Sequence, residues 1–497
     1  MPEKRITTGI EGLDNILSGG LPAEHLYLIE GDPGTGKTTL ALQFLMEGVR
    51  SGESSLYITL SESKRELLIA AESHGWNLDK ITIFELLPDE SSLRPDQQYT
   101  VYHASEVDLV DTTASVLEQV EKLKPQRVVI DSLSELRMLA QDPLRYRRQI
   151  LAFKQFFAGS GCTVLLLDDR TSTDRDLQLQ SIAHGVLSME NLAREYGSKR
   201  RRMEILKLRG SSFREGFHDY SIIKGGLEIY PRLIAAEHHP GFKREKLLSG
   251  VPELDSLWHG GVARGTSTLI MGPAGCGKST IAAAYAIAAA KRGEHATIYL
   301  FDEGIETMLF RLEGLGMDAL PHIESGRLVV EQIDPAELSP GEFVARVRRR
   351  AKNGKSRIII IDSLNGFLNA MPGEKFLAIQ LHELLTYLNQ LGMATFMILA
   401  QHGLIGSEME SVVDVSYLAD AVMLLRYFEA DGKVKQAISV VKNRSGDHER
   451  SVRELRFKGG VAVGEPLLGF TGILSGIPER EKPQRLKATK RTNGRKR

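Results

Sequence analysis

The sequence predicts two tandem α/β domains, each built on a mostly parallel β-sheet with helices on both faces. Two observations predict this fold class. A glycine-rich loop of the form G-x-x-x-x-G-K-[ST] occurs at residues 31–38 and recurs 241 positions later, at 272–279. Each copy lies between an apolar run that is typical of a strand and a stretch that is typical of a helix, which is the context of a phosphate-binding loop.

The segments around the two loops match in order. Strand-like runs at Leu26–Glu30 and Thr268–Met271 precede the loops, and helical stretches at Thr39–Val49 and Thr280–Lys291 follow them. Further strands are predicted at 55–60 and 296–301, at 127–131 and 357–362, and at 163–169 and 394–400. Antiparallel hairpins then pair 203–207 with 219–223, and 437–441 with 453–457. The chain therefore reads as a duplication of one nucleotide-binding domain of about 240 residues.

Length and composition agree with two domains. A chain of 497 residues exceeds what one hydrophobic core supports. We expect an N-terminal domain over 1–236, a polar linker over 237–246, a C-terminal domain over 247–470 and a basic tail over 471–497. Between Arg480 and Arg497 the chain has nine Lys or Arg and one acidic residue, a composition that favours a solubilising terminus over a nucleic-acid or partner-binding tail.

Several classes of protein are disfavoured. No apolar run is long enough to span a bilayer, and the first residues lack the apolar stretch of a signal peptide. Two cysteines give neither a disulfide framework nor a zinc pattern. The formal net charge of −1 argues against a general polyanion binder. We therefore expect a cytoplasmic protein that binds no membrane, and the charge disfavours nucleic acid as its partner.

The two loops predict a polyphosphate and a magnesium ion. Backbone N–H groups of such a loop turn towards phosphate oxygens, and its lysine reaches the β- and γ-phosphates. Mg²⁺ is expected at the loop hydroxyl and at the Asp that ends the strand at 127–131 or 357–362, that is at Thr38, Asp131, Ser279 and Asp362. The predicted phosphate-binding residues are Gly31, Gly34, Thr35, Gly36, Lys37, Thr38 and Thr39, and Gly272, Gly275, Cys276, Gly277, Lys278, Ser279 and Thr280.

Carboxylates follow the second strand of each copy. Ser61-Glu62 occupies this position in the first copy, and Asp302-Glu303 occupies it in the second. A carboxylate there can orient and deprotonate the nucleophile that attacks a γ-phosphate. The alternative is a set of surface acids in a loop, which their recurrence at matched positions disfavours. Glu62, Asp302 and Glu303 are the predicted catalytic residues.

A Lys-x-Arg pair also recurs, far along the chain from each loop. The pairs are Lys207 with Arg209, and Lys442 with Arg444. Each pair could reach the nucleotide of a neighbouring subunit, as an arginine finger does. Each could equally be a charge at a strand edge that blocks aggregation. Their repetition beside a phosphate loop favours the first interpretation.

Together these motifs resemble the KaiC family of circadian-clock ATPases and autokinases in the RecA superfamily, and more closely its bacterial KaiC-like ATPases. The resemblance rests on Thr8–Asp14, Gly31–Thr39, Ile130–Leu133 and Lys207–Gly210, and it extends over roughly residues 5–470. It implies two RecA-like domains, a two-tiered homohexamer and ATP bound between adjacent subunits. It also implies an ATPase in the N-terminal domain and a self-phosphorylating kinase in the C-terminal domain.

The resemblance transfers roles to particular residues. Lys37, Thr38 and Asp131 match one ATP and Mg²⁺ site, and Lys278, Ser279 and Asp362 match the other. The Lys-x-Arg pairs match residues that reach across to the neighbouring nucleotide. The family's paired catalytic glutamates appear here as Ser61-Glu62 and Asp302-Glu303.

The family's phosphoacceptors, an adjacent Ser-Thr pair, appear as Ser416-Tyr417 ahead of the run Asp420–Leu425. Ser416 is therefore the predicted single phosphoacceptor, with Ser411 as the nearest alternative and a merely structural serine as the competing interpretation.

Two functions stay open from the sequence. One is an ATP-hydrolysing enzyme with self-kinase activity that acts in signalling or timing, with an adaptor-like protein as a possible partner. The other is an ATP-gated ring whose output is partner or DNA binding without kinase activity, because RecA-like recombinases share the same core.

Overall fold

The computed structural model describes residues 4–86, 104–140, 142–170, 177–193, 197–238, 241–352, 356–369, 376–401, 416–474 and 478–480. The chain divides into two compact units, Met1–Arg232 with Ser339–Ala345, and Leu233–Leu338 with Arg346–Arg497. The basic tail beyond residue 480 and Ser411 lie outside the described residues. Among the described residues, no helix has the length and apolar content needed to cross a bilayer.

The first copy contains eleven strands and seven helices among its described residues. Its strands are β1 (Arg5–Ile6), β2 (Leu21–Pro22), β3 (Leu26–Gly31), β4 (Ser55–Thr59), β5 (Thr82–Glu85), β6 (Arg127–Asp131), β7 (Thr163–Asp169), β8 (Gly185–Leu192), β9 (Arg200–Leu208), β10 (His218–Ile223) and β11 (Gly226–Tyr230). Its helices are α1 (Glu11–Ile16), α2 (Lys37–Arg50), α3 (Lys64–Ser73), α4 (Ala104–Leu123), α5 (Leu133–Ala140), α6 (Pro143–Phe157) and α7 (Leu177–Ile182).

The main sheet of the first copy has nine strands in the order β11-β10-β9-β8-β3-β7-β6-β4-β5. From β8 to β5 all neighbours are parallel, and from β8 to β11 they are antiparallel. Alternate residues of β3 enter different cores. Tyr27 and Ile29 pack with Phe44 of α2, whereas Leu26 and Leu28 pack with Phe153 of α6. Helices therefore cover both faces of the sheet, as expected for buried parallel strands.

The second copy repeats this plan. Its strands are β12 (Lys246–Leu247), β13 (Val262–Ala263), β14 (Ser267–Gly272), β15 (His295–Leu300), β16 (Leu328–Gln332), β17 (Ser356–Asp362), β18 (Ala394–Ala400), β19 (Ala421–Ala430), β20 (Lys433–Asn443), β21 (Arg453–Phe457), β22 (Val461–Pro466), β23 (Phe470–Thr471) and β24 (Glu479–Arg480). Its helices are α8 (Pro252–Ser256), α9 (Lys278–Lys291), α10 (Ile305–Gly314), α11 (Leu320–Glu324), α12 (Pro340–Lys352), α13 (Leu364–Asn369) and α14 (Leu377–Gln390), and a short 3-10 helix spans Ala235–Glu237.

The second sheet has the order β16-β15-β17-β18-β14-β19-β20-β21-β22, again parallel from β16 to β19 and antiparallel beyond. The predicted fold class is confirmed, including both hairpin extensions. The sequence prediction did not include β8 and β19, which lie between the strand before each phosphate loop and the hairpin. In both copies the loop leaves the carboxyl end of a central strand, where ligands of open α/β sheets bind.

Candidate functional site

The two phosphate loops have backbone geometry that only glycine provides. Gly31 ends β3 beside Met189, and a Cβ on Gly31 would lie 2.5 Å from the carbonyl oxygen of that residue. Gly36 and Gly277, directly before α2 and α9, have φ of +92° and +96°. No side chain caps either helix. The N–H groups of each first helical turn are therefore available to a phosphate, which the helix dipole also attracts.

Each loop lysine folds back over its own loop. Lys37 Nζ donates to the carbonyl oxygens of Gly31 at 2.7 Å and Asp32 at 3.1 Å. Lys278 Nζ donates to those of Gly272 at 2.9 Å and Pro273 at 2.6 Å. Both lysines are 7% exposed. Each loop therefore has a buried ammonium group beside the N–H groups of its first helical turn, and this combination fits a polyphosphate.

The surroundings of the two lysines differ. Asp169 Oδ1 lies 2.7 Å from Lys37 Nζ, and Asp169 ends β7 directly beside Gly31. In the second copy the residue beside Gly272 is Ala400. Burial lowers the pKa of Lys278, while Cys276 and Asp362 partly oppose this shift. The first lysine thus has a carboxylate partner at this register position, and the second has a methyl group.

An aspartate lies next to each loop hydroxyl, and it is buried in the first copy and partly buried in the second. Thr38 Oγ1 donates to Asp131 Oδ2 at 3.3 Å, and the Tyr57 hydroxyl donates to the same oxygen. Burial raises the pKa of Asp131, although the hydrogen bonds from Tyr57 and Thr38 work against it. Burial also raises the pKa of Asp362, against a hydrogen bond from Ser279. Each pair offers hard oxygen ligands of the kind that Mg²⁺ prefers.

The candidate bases have unlike environments. Glu62 is half-buried, and its pKa is raised by burial and then by repulsion from Asp131, Glu66 and Asp169. Glu303 instead accepts two hydrogen bonds from Arg311, at 3.1 and 2.7 Å. Its neighbour Asp302 accepts a hydrogen bond from Ser363 Oγ. All three carboxylates follow the carboxyl ends of β4 and β15, and the phosphate loops leave the carboxyl ends of β3 and β14 in the same parallel sheets.

The Lys-x-Arg pairs lie at the opposite edge of each sheet from the loop of their own domain. Lys207 pairs with Val186, which pairs with Leu28, and the Arg209 N–H bonds to the His184 carbonyl. Arg209 is therefore level with Leu26, and β3 rises roughly 16 Å from there to Gly31 at about 3.3 Å per residue.

The second copy has the same register. The Arg444 N–H bonds to the Asp420 carbonyl, and the Asp420 N–H bonds to the carbonyl of Ser267, the first residue of β14. In the first copy, burial and then repulsion from Arg209 and Lys154 lower the pKa of Lys207. The end of the first sheet that carries the Lys-x-Arg pair therefore has a cluster of cations.

Ser416 lies at the same edge as the second pair. Lys442 Nζ donates to the carbonyl oxygens of Ser416 at 2.9 Å and Ala419 at 2.8 Å. Asp420 anchors the segment, because its Oδ2 accepts bonds from the Ser267 N–H and hydroxyl, both at 2.9 Å. The first copy has a matching contact, in which Lys207 Nζ donates to the carbonyls of Gln180 and Ser181.

Sequence reasoning missed several residues that contact the predicted site residues, among them Tyr57 and Ser363 described above. Asp169 and Arg311 contact predicted site residues directly, and Tyr220 donates to the Thr35 carbonyl at 2.7 Å and braces the first loop. Asp169 could have been found, because the strand predicted over 163–169 ends in two aspartates. Cys276, predicted in the second loop, is fully buried there, and burial raises the pKa of its thiol.

Two phosphate loops, each with a buried lysine, a hydroxyl next to a strand-end aspartate and a carboxylate on the adjoining strand, define a tandem P-loop ATPase. The family model "ATPase: KaiC" matches residues 6–234 and again 247–466. The chain belongs to this KaiC ATPase family, and it binds ATP.

Full-length relatives support the assignment. The chain is 27% identical over 492 residues to a circadian clock oscillator protein KaiC of Parasynechococcus marenigrum, covering 97% of this chain and 94% of the relative. It is 26% identical over 486 residues to the circadian clock protein KaiC3 of Synechocystis sp., covering 96% and 94%. It is 28% identical over 489 residues to the KaiC of Thermosynechococcus vestitus, covering 96% and 92%. The similarity therefore extends over both domains.

Proposed function

We propose that this protein hydrolyses ATP at two unlike sites, each shared between neighbouring subunits of a homohexameric ring, and phosphorylates its own Ser416. Thr38 with Asp131, and Ser279 with Asp362, would hold Mg²⁺. Bound ATP supplies the γ-phosphoryl group, and the metal would neutralise part of its charge. The loop lysines and the N–H groups of α2 and α9 position the phosphates.

The base differs between the sites. In the first, Glu62 takes the proton of an attacking water, and its raised pKa brings its basicity closer to that of a general base near neutral pH. In the second, Asp302 and Glu303 are held by Ser363 and Arg311. A fixed carboxylate favours one nucleophile in one position, which suits transfer to a protein hydroxyl.

The single observation that carries the shared-site proposal is the placement of both Lys-x-Arg pairs. Each pair lies at the strand ends opposite its own loop, across a distance longer than an arginine side chain. A cationic pair in that position can meet a phosphate only if another subunit presents it. The same relation recurs in both copies, which is hard to reconcile with a strand-edge charge placed only against aggregation.

The proposed role of Ser416 as phosphoacceptor follows from the position of the second Lys-x-Arg pair. Lys442 bonds to the Ser416 carbonyl, so a subunit edge that brings Lys442 to a neighbour's nucleotide also brings Ser416 there. In phosphotransfer the Ser416 oxygen bonds to the γ-phosphorus, the bond to the β-bridging oxygen breaks, ADP leaves, and Asp302 or Glu303 of the adjoining subunit takes the hydroxyl proton. The relatives are described as circadian clock proteins, which supports a timing or signalling role.

Subunit mixing tests the shared site. Two inactive chains are combined on a Lys278→Ala background, one carrying Glu62→Gln, which removes the base and keeps the loop lysine, and the other carrying Arg209→Ala. If the pair acts in trans, about a quarter of the interfaces in a random ring regain both parts, and hydrolysis returns in that proportion. The matched control mixes the Glu62→Gln chain with a Glu62→Gln/Arg209→Ala chain, which restores no interface. A mixture whose rate stays at the mean of its two components contradicts the shared site.

A further inference from the structure

The feature that distinguishes the two loops most simply is Asp169. It ends β7 in register with Gly31, so its carboxylate stands beside the start of the first loop. Its Oδ1 lies 2.7 Å from Lys37 Nζ, and its side chain is 31% exposed. In identical register beside Gly272, the second copy has Ala400.

The hydrogen bonds of the two ammonium groups show what this difference means. An ammonium has three donors. Lys37 directs them to the carbonyls of Gly31 and Asp32 and to the Asp169 carboxylate. Lys278 bonds to the two matched carbonyls, and its third contact is Cys276 Sγ at 3.9 Å. A thiol is a weak acceptor, whereas a carboxylate forms a charge-assisted hydrogen bond.

A phosphate oxygen therefore faces different competitors at the two loops. At the second loop the phosphate oxygen replaces the weak contact between Lys278 and Cys276 Sγ. At the first loop the phosphate oxygen displaces the Asp169 carboxylate from the Lys37 ammonium and then remains near that negative charge. Both effects weaken phosphate binding at the first loop, and both depend on one side chain.

We propose that Asp169 competes with the nucleotide phosphates for Lys37 and makes the first site the weaker-binding, faster-exchanging of the two. The difference in nucleotide affinity between the two sites is a property separate from the proposed hydrolysis, ring assembly and phosphotransfer.

The test measures binding of a fluorescent ATP analogue with Mg²⁺ to the full-length chain, one site at a time. Lys278→Ala leaves the first loop to be measured, and Lys37→Ala leaves the second. Asp169→Asn on the first background is expected to lower the Kd about tenfold, the scale of one partly buried ion pair. Asp169→Glu keeps the charge and is expected to leave the Kd high. Ala400→Asp on the second background is expected to raise the Kd by a similar factor.

The Asn and Glu variants keep the side chain polar at a partly exposed position, and melting temperatures verify that they fold. If Asp169→Asn binds the analogue no more tightly than its parent, the proposal is wrong. Because binding is read without turnover, a normal Asp169→Asn effect in a chain that neither hydrolyses ATP nor phosphorylates Ser416 would contradict only the proposed function.

Discussion

Arg311 holds Glu303 through a two-point ion pair, with Nε 3.1 Å from Oε1 and Nη2 2.7 Å from Oε2. Its Nη1 donates to Thr280 Oγ1 at 2.9 Å and so ties the candidate base to the first turn after the second loop. At the matched offset of 241 the first copy has Ala70. The charges that shift the pKa of Glu62 there are all carboxylates. Arg311 therefore holds the candidate base of the second site in place, and the residue at its matched position in the first copy cannot do so.

Replacing Arg311 is expected to impair the second site alone. On a Lys37→Ala background, Arg311→Ala should lower kcat for ATP about 10- to 100-fold and leave KM nearly unchanged, because the base loses its orientation while the phosphate loop stays intact. Arg311→Lys restores the charge without the planar fork and should recover only part of the rate. On a Lys278→Ala background the same change should have no effect, and a comparable loss there would contradict a role specific to Glu303.

The two loop lysines are expected to have unequal roles. Each of Lys37→Ala and Lys278→Ala removes the positive charge that contacts the transferring phosphoryl group. The loss of such a contact typically lowers the rate by about 10²–10³. Lys37→Ala should mainly reduce hydrolysis and ring assembly, and Lys278→Ala should mainly abolish self-phosphorylation. Phosphate release, native mass spectrometry and phosphopeptide mapping measure the three effects. Matching profiles for the two variants would show that the domains are not specialised.

Ser416 is expected to be the principal phosphoacceptor. After incubation with ATP and Mg²⁺, phosphopeptide mass spectrometry should find phosphate at Ser416 in the wild type, and Ser416→Ala should lose most of it while ATP hydrolysis continues. Ser181→Ala is a matched control, because Lys207 contacts the Ser181 carbonyl as Lys442 contacts that of Ser416. If the wild type hydrolyses ATP but carries no phosphate at Ser411, Ser416 or Tyr417, the ATPase assignment stands and the kinase assignment is wrong.

His218 is expected to make the first domain sensitive to acid. Its Nδ1 accepts from the Arg232 N–H at 2.9 Å, so the proton is on Nε2, which lies 3.0 Å from the Arg214 carbonyl. Burial lowers the pKa of His218 to about 4 from 6.5, with further lowering by Arg232 and Arg214. The folded state keeps the ring neutral while the unfolded chain takes up a proton. The stabilisation is thus complete above pH 6.5, and about 3 kcal/mol is lost as the pH falls towards 4.

Urea unfolding at several pH values measures this effect on the first domain. His218→Gln cannot take up a proton in this range, so its unfolding free energy should depend less on pH between 6.5 and 4 than that of the wild type. Parallel pH dependences for the two proteins would mean that His218 does not contribute.

The sequence was sufficient for features that local pattern encodes. Glycine spacing located both loops, and apolar runs located β3, β6 and their counterparts within one residue of their observed ends. The pairing of strands that lie far apart in the chain was harder to predict from the sequence. The runs that form β8 and β19 do not indicate by themselves that they align parallel to β3 and β14. Half-exposed edge strands such as β5 lack the continuous apolar run of a central strand.

The missed site residues have the same cause. Asp169 reaches Lys37 only because β7 and β3 are parallel neighbours in a particular register. Arg311 meets Glu303 only because the chain turns between β15 and α10, a separation that no helical or strand period predicts. Contacts of this kind depend on tertiary register, which one sequence does not specify.

The opposed placement of loop and Lys-x-Arg pair has a consequence for how proposed subunits influence one another. If the sites are shared as proposed, each subunit presents a loop on one side and a Lys-x-Arg pair on the other, so its contacts are head-to-tail, the kind that can close into a ring. A defect in one subunit would then affect its two neighbours unequally. A chain with a defective loop would inactivate its own site, whereas a chain with a defective Arg209 would inactivate the adjacent subunit's site and leave its own intact. The two neighbours of an altered subunit would therefore not be equivalent.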